Sequence, residues 1–141
     1  MRSLVQSLLV LMLFIGMSCN SQQSNKQSEV VAVTGDGPVE VIYFHGTSRC
    51  VTCKTVEEEA KTNVAVLYAD QVSAGKISFA SVNIDEPAGK AIADRVGIDG
   101  QCLMIVKGDH KENIITDGFM YAVRQPEKFR EIMKEKLDKL L

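Results

Sequence analysis

The chain has 141 residues, 45% of them hydrophobic and 24% charged, with a formal net charge of -2. That length suits one globular domain with its own core rather than two. The near-neutral balance, with Lys and Arg scattered, argues against nucleic acid as a partner, and there is no internal repeat and no Gly-rich phosphate loop.

Residues 1–18 read as an export signal. Met1-Arg2 is a short positive start, and residues 4–17 (LVQSLLVLMLFIGM) form an apolar run. The run falls short of the roughly 20 residues that a membrane span needs and fits the core of a signal peptide. Ile15-Gly16-Met17-Ser18-Cys19 resembles a bacterial lipobox, with Gly16 where Leu is commonest, so Cys19 is expected to be lipidated. An ordinary signal peptide cut nearby, with Cys19 incidental, is the plainer alternative. Residues 19–36 then form a lipid-anchored tether, in which residues 20–28 (NSQQSNKQS) offer nothing to a core. A flexible linker of ~20 residues has an r.m.s. span of roughly 25 Å. The domain, residues 37–141, is therefore expected close to a bacterial membrane, in the periplasm or at the cell exterior.

Within that domain, residues 39–45 (VEVIYFH) read as a buried strand following Gly37-Pro38. Gly46-Thr47-Ser48-Arg49 breaks the strand. A long helical pattern begins at Cys50, with Val56, Ala60, Val64 and Leu67 on one face, Glu57, Glu58 and Glu59 on a solvated side, and Gly75 as its end. Residues 77–84 (ISFASVNI) form the second strand. Asp85-Glu86-Pro87 starts a helix whose buried stripe is Ala88, Ala91, Ile92 and Val96, closed by Gly97. Residues 102–106 (CLMIV) are a third strand, turned by Lys107-Gly108-Asp109. Residues 113–116 are a fourth, ending at Asp117-Gly118. Pro126 opens a last helix lined by Phe129, Ile132, Met133, Leu137 and Leu140. The expected class is α/β, in the order β-α-β-α-β-β-α, with a central mixed sheet flanked by helices. The first three strands are expected to be parallel, and the final hairpin to add an antiparallel edge.

Of four cysteines, Cys19 is taken by the anchor, leaving Cys50, Cys53 and Cys102: one internal pair at most, and one thiol over. A lone C-x-x-C can be half of a zinc site, but no second C-x-x-C or H-x-x-H pair accompanies it. Its placement, opening a helix after a strand and a short loop, points to redox chemistry instead. Unsatisfied N–H groups and the helix dipole favour an anion there. Cys50, beside Arg49, is thus expected to be partly thiolate near neutral pH and to attack, with the less exposed Cys53 resolving the mixed disulfide. A purely structural disulfide is the bland alternative, although a four-residue loop gains little from cross-linking.

Tyr43-Phe44-His45-Gly46 through Cys50-Val51-Thr52-Cys53-Lys54 resembles the strand-loop-CxxCK segment of thioredoxins, and Val82-Asn83-Ile84-Asp85 with Val96-Gly97-Ile98 resembles their second strand and the approach to the third. The resemblance covers most of residues 39–141 and implies a thioredoxin-like fold with a redox-active dithiol and no other cofactor. More narrowly, a short lipoprotein with this CxxC and a lone Cys before the third strand resembles bacterial thioredoxin-like proteins labelled nitrophenyl-compound nitroreductase subunits, a group associated with arsenic and organoarsenical resistance. That implies a protein redox partner in nitroaromatic or arsenical metabolism, a membrane protein among the candidates.

The chain also departs from the thioredoxin pattern. Arg49 replaces an aromatic residue, and Val51-Thr52 replace Gly-Pro. Phe44 stands where the family has a buried acid, and Cys102 aligns with its cis-proline, which puts broad disulfide reductase activity in doubt. The alignment would bring Cys102 close to Cys50 and Cys53, and three converging thiols would suit copper(I) or trivalent arsenic. Two readings of Cys102 stand: partner of the dithiol, or small buried hydrophobe. His45 reads either as a proton shuttle or third ligand, or as a satisfied structural histidine. His110 reads as exposed, and Met104, Met120 and Met133 as core filling. The functional expectation is a membrane-tethered thiol–disulfide oxidoreductase or electron-relay subunit; the alternative is a non-catalytic soft-metal or metalloid binder using Cys50, Cys53 and Cys102.

Overall fold

The computed structural model describes residues 37–141, so the expected export signal, the expected lipidation at Cys19 and the expected tether lie outside the described residues. Strand β1 (Val39–His45) carries β-branched and aromatic side chains on both of its faces, and most of them are buried. A strand of that kind belongs in the middle of a sheet covered on both sides. It does sit there: four strands run in the order β2-β1-β3-β4. Strand β2 (Ile77–Asn83) lies parallel to β1, in register from Val39 with Ile77 to His45 with Asn83. Strand β3 (Cys102–Lys107) lies antiparallel on the other side, with Phe44 opposite Cys102, and β4 (His110–Asn113) pairs antiparallel with β3.

The antiparallel β3 corrects the expectation of three parallel strands. β2 finishes beside His45 and β3 starts beside Phe44, so the connection delivers the chain to the end of the sheet where it received it. The helix in that connection, Pro87–Val96, has ten residues and a length of about 15 Å at 1.5 Å per residue. A seven-residue strand such as β1 spans about 23 Å. The helix is too short to carry the chain back along a whole strand.

Alternation along β1 divides the interior in two. Val39, Val41 and Tyr43 join Leu103 and Ile105 of β3 in one cluster. Helix α1 (Val51–Leu67) covers that face through Val56, Ala60 and Val64. A short α2 (Ala69–Ser73) follows it, in place of one uninterrupted helix running to Gly75. Ile42 and Phe44 join Cys102, Met104, Val106 and Val82 on the opposite face, against Ala93 and Val96 of α3 (Pro87–Val96).

The buried stripe of α3 is Gly89, Ala93 and Val96, while the expected Ala88 and Ala91 are exposed. The reason is Gly89, where an added Cβ would fall 1.9 Å from the Asn83 carbonyl oxygen. Only a residue without a side chain lets the helix approach the strand end this closely, and that contact fixes which face turns inward.

The fourth strand is also misplaced by the sequence pattern. β4 is the charged run His110-Lys111-Glu112-Asn113, and residues 115–121 form helix α4 (Ile115–Tyr121). Asn113 Oδ1 accepts the Ile115 N–H at 3.0 Å, turning the chain out of the strand. Gly118 then packs on α1, where its Cβ would lie 2.7 Å from Val56 Cγ1. The last helix, α5 (Pro126–Asp138), buries Phe129, Met133 and Leu137, one per turn, in the α1-side cluster. Each such side chain contributes roughly 1.5–3 kcal/mol by leaving water. Met104 and Met133 fill the core, whereas Met120 is 56% exposed.

Candidate functional site

The site begins where β1 ends. Residues 46–49 leave the sheet at His45, and the segment joining β2 to α3 holds them. Thr47 N–H donates to Asp85 Oδ2 at 2.7 Å, and Asn83 Nδ2 donates to Thr47 Oγ1 and to Glu86 Oε1, both at 3.1 Å. Gly46 lies against the same carboxylate, since a Cβ there would meet Asp85 Oδ2 at 3.2 Å. Hydrogen bonds from the backbone and side chain of Thr47, then the neighbouring His45, hold the Asp85 carboxyl below the usual carboxylate range.

This tie presents Cys50 as the N-cap of α1. Its backbone is extended (φ -74°, ψ 163°), and its Sγ accepts the Cys53 N–H at 3.1 Å. Cys50 and Cys53 form a disulfide with their Cα atoms 5.1 Å apart. Cys50 is exposed and Cys53 is 8% exposed, so Cys50 is the more accessible of the two cysteines. The first turn of α1 carries no acid that would compete for its positive end. A disulfide sulfur is a weak acceptor, while a thiolate in the same place gains both the N–H bond and the helix dipole. The arrangement therefore favours the charged, reduced form of Cys50.

Beneath the helix start, Tyr43 is fully buried and donates its hydroxyl to the Cys53 carbonyl at 2.9 Å. Gln101 Nε2 donates to that same hydroxyl, and Gln101 Oε1 lies 4.0 Å from Cys53 Sγ. Burial pushes the Tyr43 phenol up, against smaller opposing effects from the Gln101 hydrogen bond and the Arg49 charge. Arg49 pairs with Glu57 and places its guanidinium 5.7 Å from the centre of the Tyr43 ring. Glu57 is thus a half-buried ion-pair partner rather than part of a solvated face, since only 18% of its side chain is exposed. The pairing also offsets much of the positive field that Arg49 would otherwise lend to Cys50.

Both nitrogens of His45 are occupied: Nδ1 lies 2.9 Å from Gly46 O, and Nε2 lies 3.0 Å from Ser81 Oγ. A carbonyl only accepts, so the Nδ1 proton is directed at Gly46 O. The ring also stacks on Tyr43, with centroids 6.0 Å apart. These contacts favour the structural reading of His45. His110 is exposed, with Nε2 3.9 Å from Glu112 Oε2.

Cys102 is a buried free thiol that packs with Phe44 on the α3 side of the sheet, whereas Tyr43, which touches Cys53, belongs to the α1 side. Burial first, and the Asp99 charge second, push its thiol up to about 11. Phe44 is fully buried in the same cluster. Among the described residues no group of three or more His, Cys, Asp or Glu side chains is placed to hold a metal ion.

Sequence reasoning missed Tyr43, Gln101, Glu57, Asn83 and Asp85. Glu57 meets Arg49 from the next turns of the same segment, whereas Asp85 and Asn83 reach Thr47, and Gln101 reaches Tyr43, across the fold, 58 positions apart for the last pair. No protein-family model matches the chain, and no curated protein is significantly similar to it.

Proposed function

We propose that this chain is a thioredoxin-like thiol–disulfide oxidoreductase or electron-relay subunit, held at a bacterial membrane through a lipid on Cys19. One observation carries the reading: an exposed cysteine caps a 17-residue helix with its sulfur, in disulfide contact with a second, buried cysteine one turn further in. The mixed sheet with β1 central, the dithiol at its carboxyl end and helices on both faces supports the fold assignment.

The Cys50 thiolate attacks one sulfur of a partner disulfide, forming a Cys50–partner bond as the partner's second sulfur leaves with the electron pair. Cys53 loses its proton to solvent and attacks Cys50 Sγ, closing the internal disulfide and releasing the partner's first sulfur. Two electrons pass to the partner, and the reverse sequence draws them from it. A partner from nitroaromatic or arsenical metabolism accords with the narrower resemblance.

The test is exchange of the purified domain with dithiothreitol and a disulfide substrate. Cys50→Ser should abolish exchange, Cys53→Ser should trap a mixed disulfide on Cys50, and Cys102→Ser should exchange like the wild type. A Cys50→Ser protein that merely loses stability, from a wild type that exchanges no faster than free dithiol, would leave only a structural cross-link.

A further inference from the structure

We infer that Gln101, oriented by Tyr43, is a positioning residue that keeps the proton of the reduced pair on Cys53 and thereby the negative charge on Cys50. The inference rests on the redox reading above and deepens it. Its basis is the direction of three contacts. The Cys53 carbonyl can only accept, so the Tyr43 hydroxyl spends its single proton there, at 2.9 Å. The phenolic oxygen is then left as an acceptor, and the group facing it from Gln101 is the amide nitrogen, Nε2. The amide has two ends, so with Nε2 fixed on Tyr43 its Oε1 faces Cys53 Sγ at 4.0 Å.

An amide oxygen accepts hydrogen bonds and takes up no proton near neutrality. It favours Cys53 as S–H and opposes Cys53 as S⁻. In the disulfide the same sulfur bears no hydrogen and gains nothing from Oε1. The contact therefore strengthens only when the disulfide is reduced, in step with the Cys53 N–H that awaits a thiolate at Cys50. No acid of β1 stands beneath Cys53: Tyr43 occupies that place, and Phe44 turns to the opposite face of the sheet. A neutral amide held by a tyrosine is the polar group at the Cys53 sulfur, and it stabilises the dithiol without competing for the proton.

The test uses equilibration with glutathione, in which two glutathione thiols give up two electrons and two protons as the Cys50–Cys53 bond breaks and glutathione disulfide forms. Gln101 is exposed, so Gln101→Met keeps its length without loss of core. Losing one weak S–H···O bond shifts the equilibrium about threefold toward the disulfide, taking the lower part of the range for a neutral hydrogen bond. That is a potential about 14 mV more negative at 29.6 mV per tenfold. Tyr43→Phe frees the amide to turn and should shift the potential in the same direction. The double variant should match Gln101→Met alone, because the two groups act as one unit. Equal potentials in the wild type and Gln101→Met, or additive shifts in the double variant, overturn the inference and leave the redox reading intact. A wild-type disulfide that never equilibrates with glutathione overturns both.

Discussion

Gly89→Ala sets two known effects against each other at the joint between α3 and β2. Alanine is favoured over glycine by up to about 1 kcal/mol in a helix, and Gly89 lies in the first turn of α3, so propensity by itself predicts a protein more stable by at most that amount. The added Cβ, however, would fall 1.9 Å from the Asn83 carbonyl oxygen and 2.7 Å from its carbon, whereas ordinary contact begins at 3.4 Å. The obstacle is backbone, so no rotamer change relieves it, and the helix or the strand end has to move. Overpacking of this kind costs about 1–3 kcal/mol, and a rigid obstacle puts the cost near 3. The net expectation is a loss of about 2 kcal/mol, or a urea midpoint lowered by about 1 M for a slope near 2 kcal/mol/M. Gly118→Ala is the control. Its Cβ meets a side-chain methyl, Val56 Cγ1, at 2.7 Å, and the cost should stay within about 1 kcal/mol once helix propensity offsets it. Paired urea titrations followed by circular dichroism decide the matter. A Gly89→Ala protein as stable as the wild type, or more so, would refute the packing of α3 against Asn83.

Other consequences can be checked on the same domain. Because Asp85 has a depressed folded pKa, its contribution is present above the unfolded carboxylate value and is lost as pH falls through the folded one. Asp85→Asn should therefore be less stable than the wild type at pH 7 and converge on it in acid, as measured by urea midpoints across pH 2–7. Cys102 behaves with the opposite sign. Its raised thiol pKa stabilises the fold fully below about 9 and loses that effect as pH rises toward about 11. In the native protein with its disulfide intact, iodoacetamide at pH 8 should leave Cys102 unmodified until urea unfolds the chain. Rapid alkylation by mass spectrometry would place that thiol at the surface.

The parts of the fold read correctly from sequence are those whose pattern is local. β1 is a continuous run of β-branched and aromatic residues, and its observed limits match the expected ones. The α1 stripe and the helix opened by Pro126 follow from apolar spacing with polar residues between. The errors arose where a distant surface decides the outcome. His110–Asn113 is all polar and becomes a strand only because the exposed backbone edge of β3 pairs with it. Ile114-Ile115-Thr116 has strand formers and enters a helix instead, because the Asn113 side chain turns the chain and Gly118 fits against Val56. The direction of β3 depended on where α3 releases the chain, which spacing alone does not encode.

The candidate site divides the same way. C-x-x-C at a helix start is visible in one line of sequence, and so is the inequality between its two sulfurs. The groups around it are not. Tyr43 looks like any core aromatic in a strand, and Gln101 like any loop residue, until β3 lies beside β1 and brings the amide over the Cys53 sulfur. Glu57 sits in an acidic run suggestive of solvent, yet one helical turn beyond Cys53 it meets Arg49.

The most direct measurement is the ionisation of the reduced dithiol, followed by thiolate absorbance at 240 nm in the wild type and in Cys53→Ala. A sulfur that caps a helix should titrate clearly below the ordinary cysteine value of about 8.5, with one charge gained and the absorbance lost in Cys50→Ala. A Cys50 that titrates at or above 8.5 would contradict the account, because the α1 terminus would then do nothing to activate it.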